Sequence, residues 1–192
     1  KGAVAFLVEK NIKKDDGFTY VKVKDTNEAL SILGKNFYDN PSEKLCLIGV
    51  TGTNGKTSVA SFLKDILNVD SKCGFSGTTG IEDGKDIVES KNTTPNSLEI
   101  QKNLSNMHKN GCRYCAMEVS SHALSLKRVE NLNYEIGIFT NLTEDHLDFH
   151  KTFENYRKAK ESLFYKTSKA NIINIDDVNG RIILENIKNL NV

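Results

Sequence analysis

No stretch of this sequence holds the roughly 18 consecutive apolar residues that a membrane span needs. Charge of one sign is also missing, since 26 lysines and arginines face 25 acidic residues for a formal net charge of +1. The first absence argues against a membrane protein, the second against partners recognised through bulk charge, such as nucleic acid or an anionic membrane surface. Cysteine is sparse: of Cys46, Cys73, Cys112 and Cys115 only the last two form a CxxC. With no second pair and no nearby His-x-His, a zinc site is not spelled out. Cys46 and Cys115 fall within apolar strand-like runs, where cysteine behaves as a small buried hydrophobe. Internal repeats, low-complexity tracts and a signal-peptide pattern are lacking too. A cytosolic enzyme is the default expectation, and the opening Lys1-Gly2, without methionine, reads as the start of an excised piece.

The 192 residues, 38% hydrophobic and 27% charged, suffice for one domain or slightly more. Apolar runs at 3–8, 45–50, 114–119, 136–140 and 171–175 alternate with helix-period patterns near 26–38, 57–68, 97–110 and 153–165. The alternation predicts an α/β fold. Unbroken apolarity in Leu45 to Val50 and Ile136 to Phe139 predicts strands buried on both faces, as in a mostly parallel sheet flanked by helices, with ligands at the strand C-termini. A boundary is expected near Tyr38-Asp-Asn-Pro-Ser-Glu43, leaving residues 1–40 too short for a core of their own.

The segment Leu45 to Ser58 runs an apolar strand into a glycine-rich turn ending in Lys-Thr. Gly52 and Gly55 permit backbone angles that aim successive N–H groups at one anion, Lys56 adds a point charge, and Thr57 offers a hydroxyl to Mg²⁺. Val59, Phe62, Leu63, Ile66 and Leu67 continue as a helix whose N-terminal dipole favours phosphates. The turn departs from GxxxxGK[ST], because Val50 stands where the first glycine belongs.

Three further clusters carry polar chemistry. Asn92-Thr-Thr-Pro95 directly precedes a helix, and the stretch reads either as its N-terminus, with Thr94-Pro-Asn-Ser97 as capping chemistry, or as ligand binding. Glu118, with Ser120, Ser121 and His122, ends an apolar strand, where a carboxylate either reaches water or holds a metal. His122 equally suits a capped core histidine. After another buried strand, residues 144–150 hold Glu144, Asp145, His146, Asp148 and His150, which suggests metal or phosphate chemistry, with His146 a second-best ligand for Mg²⁺. Finally, Lys160 falls on the apolar stripe Phe153, Tyr156, Leu163, Phe164 of a helix expected over 152–165. Either its stem packs while the amine reaches water, or the amine stays neutral and reacts with carbon dioxide to give an anionic carbamate for Mg²⁺.

Gly52-Thr-Asn-Gly-Lys-Thr57, Asn92-Thr-Thr-Pro95, Met117-Glu-Val-Ser-Ser-His122, Arg128, Asn141-Leu-x-x-Asp-His-Leu-Asp-x-His150, Ala159-Lys160 and Asn174-x-Asp-Asp177, in this order, resemble the Mur ligases, nearest the MurE type. The resemblance implies a bacterial cytoplasmic, monomeric, ATP-dependent ligase of peptidoglycan precursor synthesis with no nucleic-acid or membrane partner. Its reaction would add lysine or diaminopimelate to UDP-N-acetylmuramoyl-L-Ala-D-Glu through an acyl phosphate. Gly52, Thr53, Asn54, Gly55, Lys56, Thr57 and Ser58 would cradle ATP. Thr57 and Glu118 would hold one Mg²⁺, and His146 with carboxylated Lys160 a second. Asn92, Thr93, Thr94, Ser120 and Arg128 would bind the UDP-muramoyl-peptide, with Leu126 standing where relatives often carry glutamine. Residues 1–40 would end the UDP-substrate-binding domain, 41–192 would form a truncated central ATP-binding domain, and the C-terminal ligase domain would be absent, leaving the piece inactive alone. Rival readings are a folylpolyglutamate synthetase-like ligase and a nucleotide-binding module without ligase chemistry.

Overall fold

The computed structural model describes residues 2–13, 15–188, 190 and 191. Its organising element is β3 (Cys46–Thr51), buried from Leu47 onward, as continuous apolarity requires of a strand covered on both faces. β3 pairs in parallel with β7 (Tyr114–Glu118) on one side and β8 (Tyr134–Phe139) on the other. The sheet extends in parallel to β4 (Cys73–Gly77) beyond β7 and to β9 (Thr167–Ile173) beyond β8. Two short antiparallel strands, β5 (Gly80–Glu82) and β6 (Ile87–Val88), finish one edge. The order is β6-β5-β4-β7-β3-β8-β9.

Because successive strand side chains face opposite ways, β3 feeds two apolar clusters. Leu47 joins Met117, Phe139, Leu104, Met107, Tyr156 and Ile183. Ile48 and Val50 join Phe75, Ala116, Ile138 and Ala60. Helices close both layers: α2 (Lys56–Leu67) packs over the second cluster, and α3 (Ser97–Lys109), α6 (Phe153–Glu161) and α7 (Val178–Asn186) contribute to the first. The short α4 (Ser121–Ser125) and α5 (Leu147–His150) follow β7 and β8. None of the described helices is long and apolar enough to cross a membrane.

At the N-terminus β1 (Ala5–Val8) and β2 (Thr19–Lys22) form a separate two-stranded parallel sheet, followed by α1 (Thr26–Phe37). α1 lies against α3 at Gly34, where a Cβ would stand 3.3 Å from Gln101 Cγ and Leu98 Cδ2. The buried hydroxyl of Ser31 accepts from Asn131 N and Nδ2 at 3.3 and 3.1 Å.

The expected parallel α/β core is present. The helix expected over 152–165 ends at Glu161, so Leu163 and Phe164 lie beyond it while remaining buried, Phe164 in a 3₁₀ turn. The two strands and one helix expected within residues 1–40 are β1, β2 and α1, whereas β4, β5, β6, α4, α5 and α7 were not foreseen by the apolar pattern.

Candidate active site

The turn after β3 is shaped by glycine at two positions. Gly52 has φ +151°, and a Cβ there would fall 1.9 Å from Thr140 Oγ1. Gly55, at φ +81°, caps α2 without a side-chain bond, so the N–H groups of the first turn are free for an anion. The loop after β8 moulds this turn. Thr53 N donates to Asn141 O at 2.9 Å, Asn54 N to Asn141 Oδ1 at 3.0 Å, and Thr140 Oγ1 to Asn54 O at 2.6 Å. Two amines converge on the same carbonyl: Gly52 O accepts from Lys56 Nζ at 3.0 Å and from Lys160 Nζ at 2.7 Å. Lys56 Nζ also reaches Thr53 O at 2.8 Å. Burial pulls its pKa down, while Glu118 and Asp145 oppose that shift.

Glu118 is 1% exposed at the end of β7. Its Oε2 accepts from Thr57 Oγ1 at 2.9 Å and Thr78 Oγ1 at 3.3 Å, and its Oε1 from Thr78 N at 2.8 Å. The carboxylate therefore does not simply reach water. Oxygens in adjacent positions of an octahedral Mg²⁺ shell lie about 3.0 Å apart for metal–oxygen bonds of about 2.1 Å. The Thr57–Glu118 pair fits that spacing. Among the described residues no three His, Cys, Asp or Glu side chains form a self-contained metal cage, so a cation here would draw its remaining ligands from elsewhere, such as phosphate and water. Thr78 was missed in the sequence. Gly77 beside it is obligatory, since a Cβ would stand 2.1 Å from Glu118 Oε1. Gly77→Ala is expected to displace the carboxylate and weaken Mg²⁺-dependent nucleotide binding by about 10-fold or more, measured by calorimetric titration; unchanged affinity would show that Glu118 holds no cation.

Lys160 does not snorkel: it is 2% exposed, with Nζ 4.6 Å from the Tyr156 ring centroid. Burial, and next the Lys56 charge, lower its pKa to about 7, so much of it is neutral at physiological pH. Tyr156 OH lies 3.1 Å from Thr53 Oγ1, which links the lysine's aromatic neighbour to the phosphate turn. His146, at φ +54°, heads α5 with its N–H bonded to Asp145 Oδ1 at 2.8 Å. Its ring stands edge-on to His122 at 4.8 Å and to Tyr156 at 6.1 Å between centroids. Buried His150 meets Ser121 Oγ through Nε2 at 2.9 Å. Burial, then neighbouring positive charge, lowers the pKa values of His122 and His150.

Asn92, Thr93, Thr94, Ser120, His122, Arg128 and His146 line one cleft beside Glu118. Within it, Thr94 is a brace: its buried hydroxyl donates to Glu118 O at 3.0 Å and accepts from Ser120 N at 3.0 Å. Thr93 Oγ1 bonds Thr78 Oγ1 at 3.0 Å, and Arg128 Nη1 donates to Thr94 O at 3.1 Å. Ser120 Oγ accepts from Ala123 N at 3.2 Å and so caps α4. The capping chemistry expected of Thr94-Pro-Asn-Ser97 is present: Asn96 caps α3, in a capping box with Glu99. α4 ends with Lys127 N bonded to Leu124 O at 3.2 Å and Arg128 N to Ala123 O at 2.9 Å, the Schellman pattern. Glycine turn, carboxylate, lysine and cleft all gather at the C-terminal ends of parallel strands, where α/β sheets bind ligands.

A family model described as the Mur ligase middle domain matches residues 50–192. A UDP-N-acetylmuramoyl-L-alanyl-D-glutamate--2,6-diaminopimelate ligase of Clostridioides difficile (strain 630) is 55% identical over 193 residues, covering 100% of this chain and 40% of that protein. A solved structure of a ligase of the same name superposes with a TM-score of 0.81 at 28% identity, covering 98% of this chain and 38% of the other. E. coli FolC, in complex with DHPP and ADP, superposes with a TM-score of 0.60 at 15% identity over 86% of this chain and 45% of its own, a likeness of fold alone. The chain thus spans about two fifths of the length of the curated relatives it matches.

Proposed function

The chain belongs to the Mur ligase family, and on that premise we propose that it carries the ATP-activating site of a ligase joining 2,6-diaminopimelate to UDP-N-acetylmuramoyl-L-alanyl-D-glutamate. One observation carries the reading: Lys56, Thr57, Glu118 and Lys160 meet around a glycine turn that opens a helix N-terminus. The names of the relatives favour diaminopimelate over lysine as the added amino acid. On this reading residues 1–40 end a substrate-binding unit, and residues 41–192 form most of the ATP-binding unit of a longer enzyme.

In the reaction, a carboxylate oxygen of the UDP-muramoyl-peptide attacks the γ-phosphorus of ATP, the bond to the β-phosphate oxygen breaks, and ADP leaves. The acyl phosphate is then attacked by the amine, which forms the amide, sheds a proton and releases phosphate. Turn N–H groups from Gly52 to Ser58 hold the phosphates. Lys56 leaves its carbonyl partners to follow charge onto the transferred group. Thr57 and Glu118 would hold Mg²⁺, which when bound neutralises charge between triphosphate and carboxylate. His146 and a carboxylated Lys160 would serve a second cation. Arg128, Asn92, Thr93 and Ser120 line the cleft that orients the acceptor, and Thr94 holds its wall.

Calorimetric titration of the chain with Mg²⁺ and a non-hydrolysable ATP analogue is expected to give saturable binding, weakened on the order of 10²-fold by Lys56→Ala. In the longer enzyme, UDP-N-acetylmuramoyl-L-alanyl-D-glutamate is expected to raise the melting temperature, and a folate is not. Absence of nucleotide binding, or protection by the folate alone, would overturn the reading.

A further inference from the structure

Arg128 enters the cleft from a backbone that should not favour it. At the Schellman end of α4 the left-handed position, usually glycine, is occupied by Lys127 at φ +55°. Asn, Asp and His adopt this region more readily than other side chains; lysine has no such local bonding to offer. The lysine instead reaches back to the N-terminal unit. Its Nζ lies 3.0 Å from Asp25 Oδ2 and 2.7 Å from Glu28 Oε2. Asp25 is the N-cap of α1, accepting from Glu28 N at 3.0 Å, so both carboxylates sit on the first turn of one helix. That helix is seated independently, by Ser31 on Asn131 and by Gly34 on α3. Arg128, the next residue, is held at its far end by Thr94 O.

We propose that Lys127 is a positioning residue that fixes Arg128 for the anionic UDP-muramoyl substrate by anchoring the strained turn to Asp25 and Glu28 of α1. The inference rests on the reading of Arg128 as a substrate contact. It makes α1 a brace through which the N-terminal unit sets the substrate cleft, and it leaves the nucleotide turn untouched. A strained position is retained here because the anchor needs a long cationic side chain, which glycine lacks.

The test uses the longer enzyme that contains this sequence. Lys127→Gly relieves the backbone and removes the anchor; the Asp25→Asn/Glu28→Gln double variant keeps a capping side chain and removes the charge. Both are expected to raise KM for UDP-N-acetylmuramoyl-L-alanyl-D-glutamate by about three- to tenfold, with KM for ATP unchanged. Lys127→Gly should melt no lower than wild type, and both variants should lose part of the salt dependence of the substrate KM. A lysine that merely ends a helix predicts an unchanged substrate KM for Lys127→Gly, and that result overturns the inference. So does an equal rise in the KM for ATP. If the wild-type enzyme does not turn over the UDP-muramoyl-peptide at all, the functional reading falls first and takes this inference with it.

Discussion

Glu118→Gln is expected to cut ligation by the longer enzyme on the order of 10²- to 10⁴-fold while leaving the fold intact. The asymmetry follows from what the carboxylate touches. Oε1 accepts from a backbone N–H of Thr78, which cannot reverse, whereas Oε2 accepts from the hydroxyls of Thr57 and Thr78, which can rotate. A glutamine can therefore keep its oxygen on Thr78 N and donate from its amide to the hydroxyls. The stability cost should be no more than about 1–3 kcal/mol, the range for disturbing a buried hydrogen-bonded group. What glutamine cannot supply is the negative charge that a divalent cation requires beside Thr57. Steady-state kinetics with an Mg²⁺ titration, alongside a thermal melt, checks both halves. Activity within about tenfold of wild type would sink the metal role, and an unfolded variant would show that the hydrogen-bond argument is wrong.

Glu118 was legible in the sequence because a carboxylate closing an apolar strand has few inexpensive explanations. Its partner Thr78 was not, and the reason is packing. The strand before it reads Cys73-Gly-Phe-Ser-Gly77, with two glycines where an apolar pattern is sought. Both are forced by neighbours from other elements: a Cβ at Gly74 would stand 2.6 Å from Met107 Sδ, and one at Gly77 2.1 Å from Glu118 Oε1. Close approach erased the periodicity that identifies a strand. The same limit hid the inward role of Thr94, whose hydroxyl looks like helix-start chemistry until its partners on 118 and 120 are seen. Lys127 was invisible for a different reason, since its carboxylate partners lie about 100 residues away in the chain. By contrast, the glycine turn and the burial of Lys160 depend on local chemistry, glycine before a helix and a cation on an apolar stripe, and local chemistry survives in one dimension.

Lys160→Met is expected to stabilise the protein and, in the longer enzyme, to abolish the proposed ligation. In the folded state burial lowers the lysine's pKa to about 7 from 10.5. Between those values the unfolded chain binds a proton that the folded chain does not, so stability rises with pH across that window. Below about pH 7 the full penalty applies, with a ceiling on the order of 5 kcal/mol for a shift of this size. Methionine fills a similar volume without charge, and Gly52 O keeps its bond from Lys56 Nζ at 3.0 Å, so the substitution leaves no acceptor unpaired. Urea melts at pH 6 and pH 9 should show the variant more stable at the lower pH and the pH-dependent rise flattened. A variant whose melts keep the wild-type rise would refute the burial argument. Ligation should fall because the neutral amine is the form that attacks carbon dioxide, making an N–C bond, losing a proton and placing two hard oxygens beside the phosphate turn. The wild-type longer enzyme in carbon dioxide-depleted buffer is then expected to lose activity and regain it with bicarbonate, with Lys160→Met inactive under both conditions. Full ligation by that variant would instead leave Lys160 as packing, and the turn at Gly52 would serve nucleotide binding without it.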